Sequence, residues 1–198
     1  MATDIGRIVE NLLGFYDFGG KIVVSVGAGG GQFVEFGRKT RKIIAVDQDA
    51  EALRQLKTRV ASEGLADSFE FVQSDFYDTA KQGDVVLFEF SLHEMPDPLR
   101  ALQHAQTLAP DIVVLDHAPG SDWTYYIVEE DKVHKSTEAM KRFGIRSQAV
   151  FQGEQRFSNH DELLAKVSVQ GPEAIERVGV FRGASGIVIR LVYAATLL

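Results

Sequence analysis

Short apolar runs separated by amphipathic stretches dominate the chain as far as Pro119. Runs with little alternation of apolar and polar residues are typical of strands that are covered on both faces. The predicted strands are Ile22–Val26, Ile43–Val46, Phe69–Gln73, Asp84–Phe90 and Asp111–Leu115.

The stretches between these runs carry apolar residues at helical spacing. Asp4–Leu13 is predicted to form a helix, and Asp49 is placed to cap a second one. Asp97 followed by Pro98 marks the start of a third. Strands that alternate with helices in this way indicate a mostly parallel sheet with helices on both faces.

The pattern changes after Pro119. Residues 119–159 are rich in aromatic side chains and contain one weak helix, Glu129–Phe143, which Gly144 can end. A long irregular connection in a compact domain is often functional, so we expect a lid over the acceptor. The alternative is a helical insertion packed on the sheet edge. Ser158 is placed to cap a last helix.

Two more apolar runs, Ala174–Phe181 and Ile187–Thr196, flank a glycine-containing turn and predict an antiparallel hairpin. The predicted fold is therefore a single α/β domain over residues 1–198. It is Rossmann-like and doubly wound, with a mostly parallel seven-stranded sheet and an antiparallel C-terminal hairpin.

The composition limits the partners. A net charge of −7 and a pI near 5.2 argue against general binding to nucleic acid or to an anionic membrane. Without cysteine the chain has no disulfide framework and no thiolate metal site. We see no signal-peptide core and no apolar run of membrane-spanning length, so we expect a cytoplasmic protein. The sequence does not indicate its oligomeric state.

The glycine-rich stretch Gly27–Gly31 follows the first predicted strand, and a helix is predicted from about Gln32. Glycine permits positive φ and a close approach of ligand to main chain, and a helix N-terminus offers free N–H groups. The spacing is G-x-G-x-G, because Gln32 stands where the dinucleotide fingerprint has its third glycine. The turn predicts a nucleotide-type binding site.

Acidic residues follow the next two strands. Asp47 lies 20 residues after Gly27, where a carboxylate can accept hydrogen bonds from both hydroxyls of an adenosine ribose. Asp75 is placed to bond an adenine amino group while the neighbouring Phe76 ring packs against the base.

The ordered motifs VVSVGAGGG, AVDQD, QSDF, DVVLFEFSLHEMPDP and DIVVLDHAPG resemble those of the class I S-adenosylmethionine-dependent methyltransferases. The stretch Phe90–Asp97 is similar in placement to the ubiquinone and menaquinone branch, whose members act on small molecules. The resemblance implies S-adenosylmethionine as cofactor and a small-molecule acceptor. Ser25 stands where the family usually has an acidic residue, and its hydroxyl could replace that contact. The implied cofactor-binding residues are Ser25, Gly27, Ala28, Gly29, Gly31, Asp47, Gln48, Asp75, Phe76 and Phe90.

His93 and His117 leave the ends of the fourth and fifth predicted strands, where open α/β sheets bind ligands. We predict both as catalytic residues, with His93 as the preferred base. Together with Glu94 and Asp116 they could form a metal site, but no regular spacing joins the four, so no metal is expected. Glu89 is unusual in a buried run, and either points into the site or pairs with Arg100.

Two other functions remain open. A nicotinamide-dependent oxidoreductase is disfavoured by Gln32 and by the antiparallel C-terminal strands. A non-catalytic module that binds S-adenosylmethionine would keep the glycines and Asp47 but would have a closed acceptor pocket.

Overall fold

The strands of the protein form a seven-stranded sheet. A computed structural model describes residues 5–29 and 34–198 of the chain. The order in the sheet is β3-β2-β1-β4-β5-β7-β6, and β7 runs antiparallel to both of its neighbours. The predicted Rossmann-like, mostly parallel sheet is therefore confirmed. The strands are β1 (Ile22–Val26), β2 (Lys42–Asp47), β3 (Phe69–Gln73), β4 (Val85–Glu89), β5 (Asp111–His117), β6 (Ser147–Asn159) and β7 (Ser185–Leu197).

Helices cover both faces of the sheet, and several begin at the predicted caps. The Asp49 side chain accepts hydrogen bonds from two N–H groups of α2, and Asp97 caps α3 with Pro98 in its first turn. Ser158 was predicted to cap the last helix, but the next residue, Asn159, caps α6. The helices are α1 (Ile5–Phe15), α2 (Ala50–Ser62), α3 (Pro98–Leu108), α4 (Asp122–Tyr126), α5 (Glu130–Phe143), α6 (His160–Val167) and α7 (Pro172–Arg177).

The core consists of two large layers separated by the sheet. On one face, α3 and α5 pack against alternate residues of β1, β4 and β5. On the other face, α1, α4, α6 and α7 pack against the remaining residues of those strands and against β7. Within the described part of the chain, no helix is long and apolar enough to cross a membrane.

The C-terminal hairpin was predicted from the wrong segment. Residues 174–181 form the end of α7 and a short 3-10 helix, in which Ala174 and Val178 lie one turn apart and are both fully buried. The antiparallel partner of β7 is β6, with Ser147 opposite Leu197 and Asn159 opposite Ser185. The two strands are joined by α6 and α7 and not by a tight turn.

Residues 119–159, predicted as a lid or insertion, contain α4, α5 and the edge strand β6. The part from Ser147 onward is therefore a strand of the sheet and cannot be a lid. The predicted helix is confirmed, since α5 ends at Phe143 with Gly144 as its cap. Trp123 is only 4% exposed and its ring stacks on Phe157 at 5.8 Å, so this aromatic side chain belongs to the core.

Replacing Trp123 by alanine is expected to lower the free energy of unfolding by about 3–5 kcal/mol, because a buried aromatic ring leaves a cavity. Urea denaturation measures the change. Val169 is 84% exposed, and Val169→Ala, the matched control, should change the free energy by less than about 0.5 kcal/mol. A Trp123→Ala protein as stable as this control would contradict the placement of Trp123 in the core.

Candidate functional site

The carboxyl ends of β1 to β4 surround a cavity of about 220 Å³. In open α/β sheets this edge is where ligands bind, because the loops that leave neighbouring parallel strands meet there. The cavity is lined by Val26, Gly27, Val46, Asp47, Gln48, Ser74, Asp75, Phe76, Tyr77, Ser91, Glu94, Met95 and Pro96.

The described part of the glycine turn requires glycine at two positions. Gly27 has φ of +67°, and a Cβ atom there would lie 2.5 Å from the Cβ atom of Ser91. Gly29 has φ of +52°, and its N–H group donates to Oδ2 of Asp47 at 3.2 Å. This hydrogen bond holds the turn against the end of β2. Gly31 and Gln32 lie outside the described residues, and the segment after them, Val34–Arg38, is a 3-10 helix.

Four of the predicted cofactor residues after β2 and β3 line this cavity. Asp47 is half-buried, and its Oδ1 atom also accepts from the N–H group of Asp49 at 2.9 Å. Gln48 follows it at the rim. Asp75 is exposed and accepts from the N–H group of Tyr77, while Phe76 is 5% exposed and packs edge-on against the core.

Three predicted residues lie elsewhere. Ser25 is buried and its hydroxyl donates to Oε1 of Glu89 at 2.5 Å, so it is already committed on the opposite side of β1. Ala28 packs against the core under α2. The Phe90 ring lies 4.9 Å from the ring of His117 and not in the cavity wall. The backbone conformation of Phe90 explains why its ring is not in the cavity wall. Its φ is +50°, and the chain changes direction there before Ser91.

Several cavity residues were not among the predicted cofactor-binding residues. Tyr77, Ser91, Glu94 and Met95 reach the cavity only through their positions after β3 and β4. The signal that could have found them is the strand end itself, since every polar residue that follows a parallel strand faces this edge.

A second polar cluster lies beside this cavity and is organised by Asp116, which is 2% exposed. One carboxylate oxygen, Oδ1, lies 2.5 Å from Nδ1 of His93 and accepts the N–H group of His117 at 2.8 Å. The other oxygen, Oδ2, accepts the N–H group of His93 at 3.0 Å. A single buried carboxylate therefore fixes the backbone of both histidines and the ring of one.

Carboxylates also face the other nitrogen of His93. Its Nε2 atom lies 3.4 Å from Oε1 of Glu94 and 3.4 Å from Oε2 of Glu129. Burial alone would lower the pKa of His93, but hydrogen bonds with Asp116, Glu129 and Glu94 raise this pKa to about 11. His93, predicted as the preferred base, is therefore surrounded by groups that favour its protonated form.

The pKa values of the groups around His93 are shifted as well. The hydrogen bond with His93 lowers the pKa of Glu94, and burial raises the pKa of Glu129. Burial lowers the pKa of His117 to about 4, so its imidazole is neutral at physiological pH.

The structure brings His93, His117 and Glu129 close enough to bind one metal ion, with one donor atom of each within 4.8 Å of the others. Glu129 was missed as a site residue because it lies at the start of α5, far in sequence from both strand ends. The expectation of no metal considered the two histidines with Glu94 and Asp116, and it did not include Glu129.

A larger cavity of about 1010 Å³ lies beyond β5, between α1 and the strands β6 and β7. Tyr193 lines it and pairs with His117 across the β5–β7 ladder. Glu94, His93 and His117 thus form a row from the smaller cavity to the strand that lines the larger one.

Comparison with known proteins agrees with this geometry. Residues 24–110 match the model of a methyltransferase domain. No curated protein matches the chain.

Three solved structures share the fold. A candidate methyltransferase from Bacillus halodurans C-125 is 14% identical with a TM-score of 0.69, covering 99% of this chain and 98% of its own. Precorrin 8w decarboxylase from Methanobacterium thermoautotrophicum is 14% identical with a TM-score of 0.61, covering 96% and 88%. A candidate sarcosine dimethylglycine methyltransferase from Galdieria sulphuraria is 17% identical with a TM-score of 0.58, covering 98% and 83%.

At these identities the solved structures show the fold of the chain alone, and one of them is described as a decarboxylase. The domain match covers β1 to the end of α3, which is the part of the sheet that carries the smaller cavity. The domain match supports a methyltransferase enzyme, and the solved structures support its fold.

The burial of Glu89 beside Ser25 predicts how the stability of the protein depends on pH. Burial raises the pKa of Glu89 to about 7, and the hydrogen bond from Ser25 offsets part of this rise. Between the ordinary value of 4.5 and about 7 the native protein holds a proton that the unfolded chain releases. The contribution of Glu89 to stability therefore falls as pH rises through this window.

Glu89→Gln should remove that slope. As pH rises from 5 to 8, the free energy of unfolding of the variant should increase by on the order of 1–3 kcal/mol relative to that of the wild type. Urea denaturation at the two pH values measures it, with Glu176→Gln, at an exposed position, as the control. Parallel pH profiles for wild type and Glu89→Gln would contradict the buried, protonated Glu89.

Proposed function

We propose that the protein transfers a methyl group from S-adenosylmethionine to a small-molecule acceptor. The observation that carries the proposal is the cavity in which the glycine turn faces the carboxylate of Asp47. The match of residues 24–110 to a methyltransferase domain supports the same reaction.

The cofactor is proposed to lie along this cavity in an extended form. Asp47 would accept hydrogen bonds from the ribose hydroxyls, each charge-assisted bond contributing about 1.5–3 kcal/mol. Adenine would lie near Asp75 and the Phe76 ring. The methionine end would then lie near Ser91 and Glu94, and the negative potential there favours a sulfonium cation over its neutral product.

The acceptor is proposed to enter from the larger cavity. The row formed by Glu94, His93 and His117 lies between the two cavities, so the acceptor would have to pass these side chains to contact the methyl group directly, and both predicted catalytic residues would border its path. The methyl of a sulfonium is already electrophilic, so alignment of the acceptor supplies much of the rate.

The finer assignments rest on the sequence. A relation to the ubiquinone and menaquinone branch, the lack of nucleic-acid and membrane partners, and a cytoplasmic location stay predictions.

Binding of S-adenosylmethionine or S-adenosylhomocysteine tests the proposal directly. At a ligand concentration of about 100 times the dissociation constant, binding adds about 2.7 kcal/mol of stability. For a chain of this size the melting temperature should rise by roughly 5–10 °C, and calorimetry should give the affinity. A shift with NAD and none with either sulfur compound would indicate an oxidoreductase instead.

The contribution of Asp47 is tested with a matched pair of variants. Asp47→Asn keeps the size of the side chain but loses its charge, so it should weaken cofactor binding by about 10-fold or more. Asp67→Asn, at an exposed position away from the cavity, should leave the affinity unchanged. Equal affinities for the two variants would remove Asp47 from the cofactor site.

A further inference from the structure

We propose that His93, His117 and Glu129 bind a divalent transition-metal ion of the Zn²⁺, Fe²⁺ or Co²⁺ type. Two imidazole nitrogens and one carboxylate are donors that these ions prefer, whereas Mg²⁺ and Ca²⁺ favour oxygen ligands alone. Three protein ligands leave at least one coordination position open for an exogenous group. This site does not depend on the proposed function.

The spacing of the donor atoms fits such an ion. Nε2 of His93 and Oε2 of Glu129 lie 3.4 Å apart. Two ligands bound at about 2.0–2.1 Å to a tetrahedral ion are also about 3.4 Å apart. His117 completes the group, with its ring centroid 5.3 Å from that of His93 and one donor atom within 4.8 Å of the other two.

His117 supplies a second and independent observation. Its Nδ1 atom is buried and has no hydrogen-bond partner among the described residues. A buried polar atom without a partner is costly and rare in native proteins. A bound ion, or a group attached to it, would satisfy the buried imidazole.

The surrounding groups orient the ligands as the outer shell of a metal site does. The carboxylate of Asp116 binds Nδ1 of His93 at 2.5 Å, which directs Nε2 toward Glu129. The amide of Gln170 donates to Oε1 of Glu129 at 3.3 Å, which leaves Oε2 on the side of the histidine. These contacts fix both ligand atoms before any ion arrives.

The charges at the cluster favour a cation. Glu94, Asp116 and Glu129 contribute three carboxylates, and the ammonium of Lys132 reaches two of them, Glu94 at 2.7 Å and Glu129 at 3.8 Å. With both imidazoles neutral, as metal ligation requires, the carboxylates of this group outnumber its ammonium. A divalent ion at the imidazole nitrogens would balance this negative charge.

Backbone strain occurs beside two of the ligand segments. In the described chain, Phe90 and Val128 are the residues other than glycine with positive φ, at 50° and 59°. Phe90 begins the loop that leads to His93, and Val128 directly precedes Glu129. Positive φ is unfavourable for a β-branched residue, and strain of this kind is concentrated at functional sites.

The test titrates the full-length protein, dialysed against a chelator, with Co²⁺ and with Zn²⁺. Calorimetry should show one ion per chain, and Co²⁺ should produce the visible absorption bands of nitrogen and oxygen coordination. Mg²⁺ should produce no heat. Absence of Co²⁺ and Zn²⁺ binding to the wild type would overturn the proposal and leave a charge network stabilised by protonated His93.

Variants locate the site. His117→Gln and Glu129→Gln, with native folding checked by circular dichroism, should each lower Co²⁺ affinity by about 10-fold or more. His134→Gln, at an exposed position of α5, should bind as the wild type does. Wild-type Co²⁺ affinity in both ligand variants would overturn the site. The melting shift with S-adenosylhomocysteine, measured on the same samples, reports the proposed function separately.

Discussion

Parallel strands place their carboxyl ends at one edge of a sheet, and in this protein that edge carries acidic groups. β2 ends with Asp47, Asp75 follows β3, Glu94 follows β4, and Asp116 lies near the end of β5. At an ordinary exposed surface, water and salt screen the fields of such carboxylates. Here they line or flank a concave region, so their fields add and the edge becomes selective for positive charge. The site follows from this arrangement of strand ends more than from any single motif.

Asp116 shows how the edge tolerates buried charge. Its carboxylate is enclosed, yet both oxygens receive hydrogen bonds, from the main chain of His93 and His117 and from the His93 ring. A buried carboxylate without such partners would be costly. The two loops that leave β4 and β5 are therefore tied to one group, and the geometry of both histidines depends on it.

The sequence identified the elements whose residues are buried on both faces. β1, β2, β4 and β5 appear as apolar runs, whereas β3 is a partly exposed edge strand that was recognised from its aromatic and apolar residues. β6 could not be predicted in this way, because it is an edge strand in which most residues are exposed and polar. A strand that pairs on one side needs little apolar surface.

The helix α7 shows the opposite error. Ala174–Phe181 is apolar enough for a strand, but Pro172 sits in the first turn of a helix, and Ala174 and Val178 have the spacing of one helical turn. The spacing of the apolar residues, and not their total hydrophobicity, indicated a helix.

For the site, residues at strand ends could be predicted and residues brought in from elsewhere could not. Asp47, Asp75, His93 and His117 were found from the ends of their strands. Glu129 reaches His93 through the packing of α5 on α3, a tertiary contact with no local signal. Ser25 was assigned to the cofactor through the resemblance to the methyltransferase family, but alternation along β1 turns its side chain to the face that holds Glu89.

The most direct measurement of this account is a crystal structure of the protein with S-adenosylhomocysteine. The account predicts that both ribose hydroxyls lie within about 2.5–3.0 Å of the Asp47 carboxylate, with adenine against Phe76 and the sulfur on the side of Glu94 and His93. A ligand bound in the larger cavity, or with its ribose away from Asp47, would contradict it.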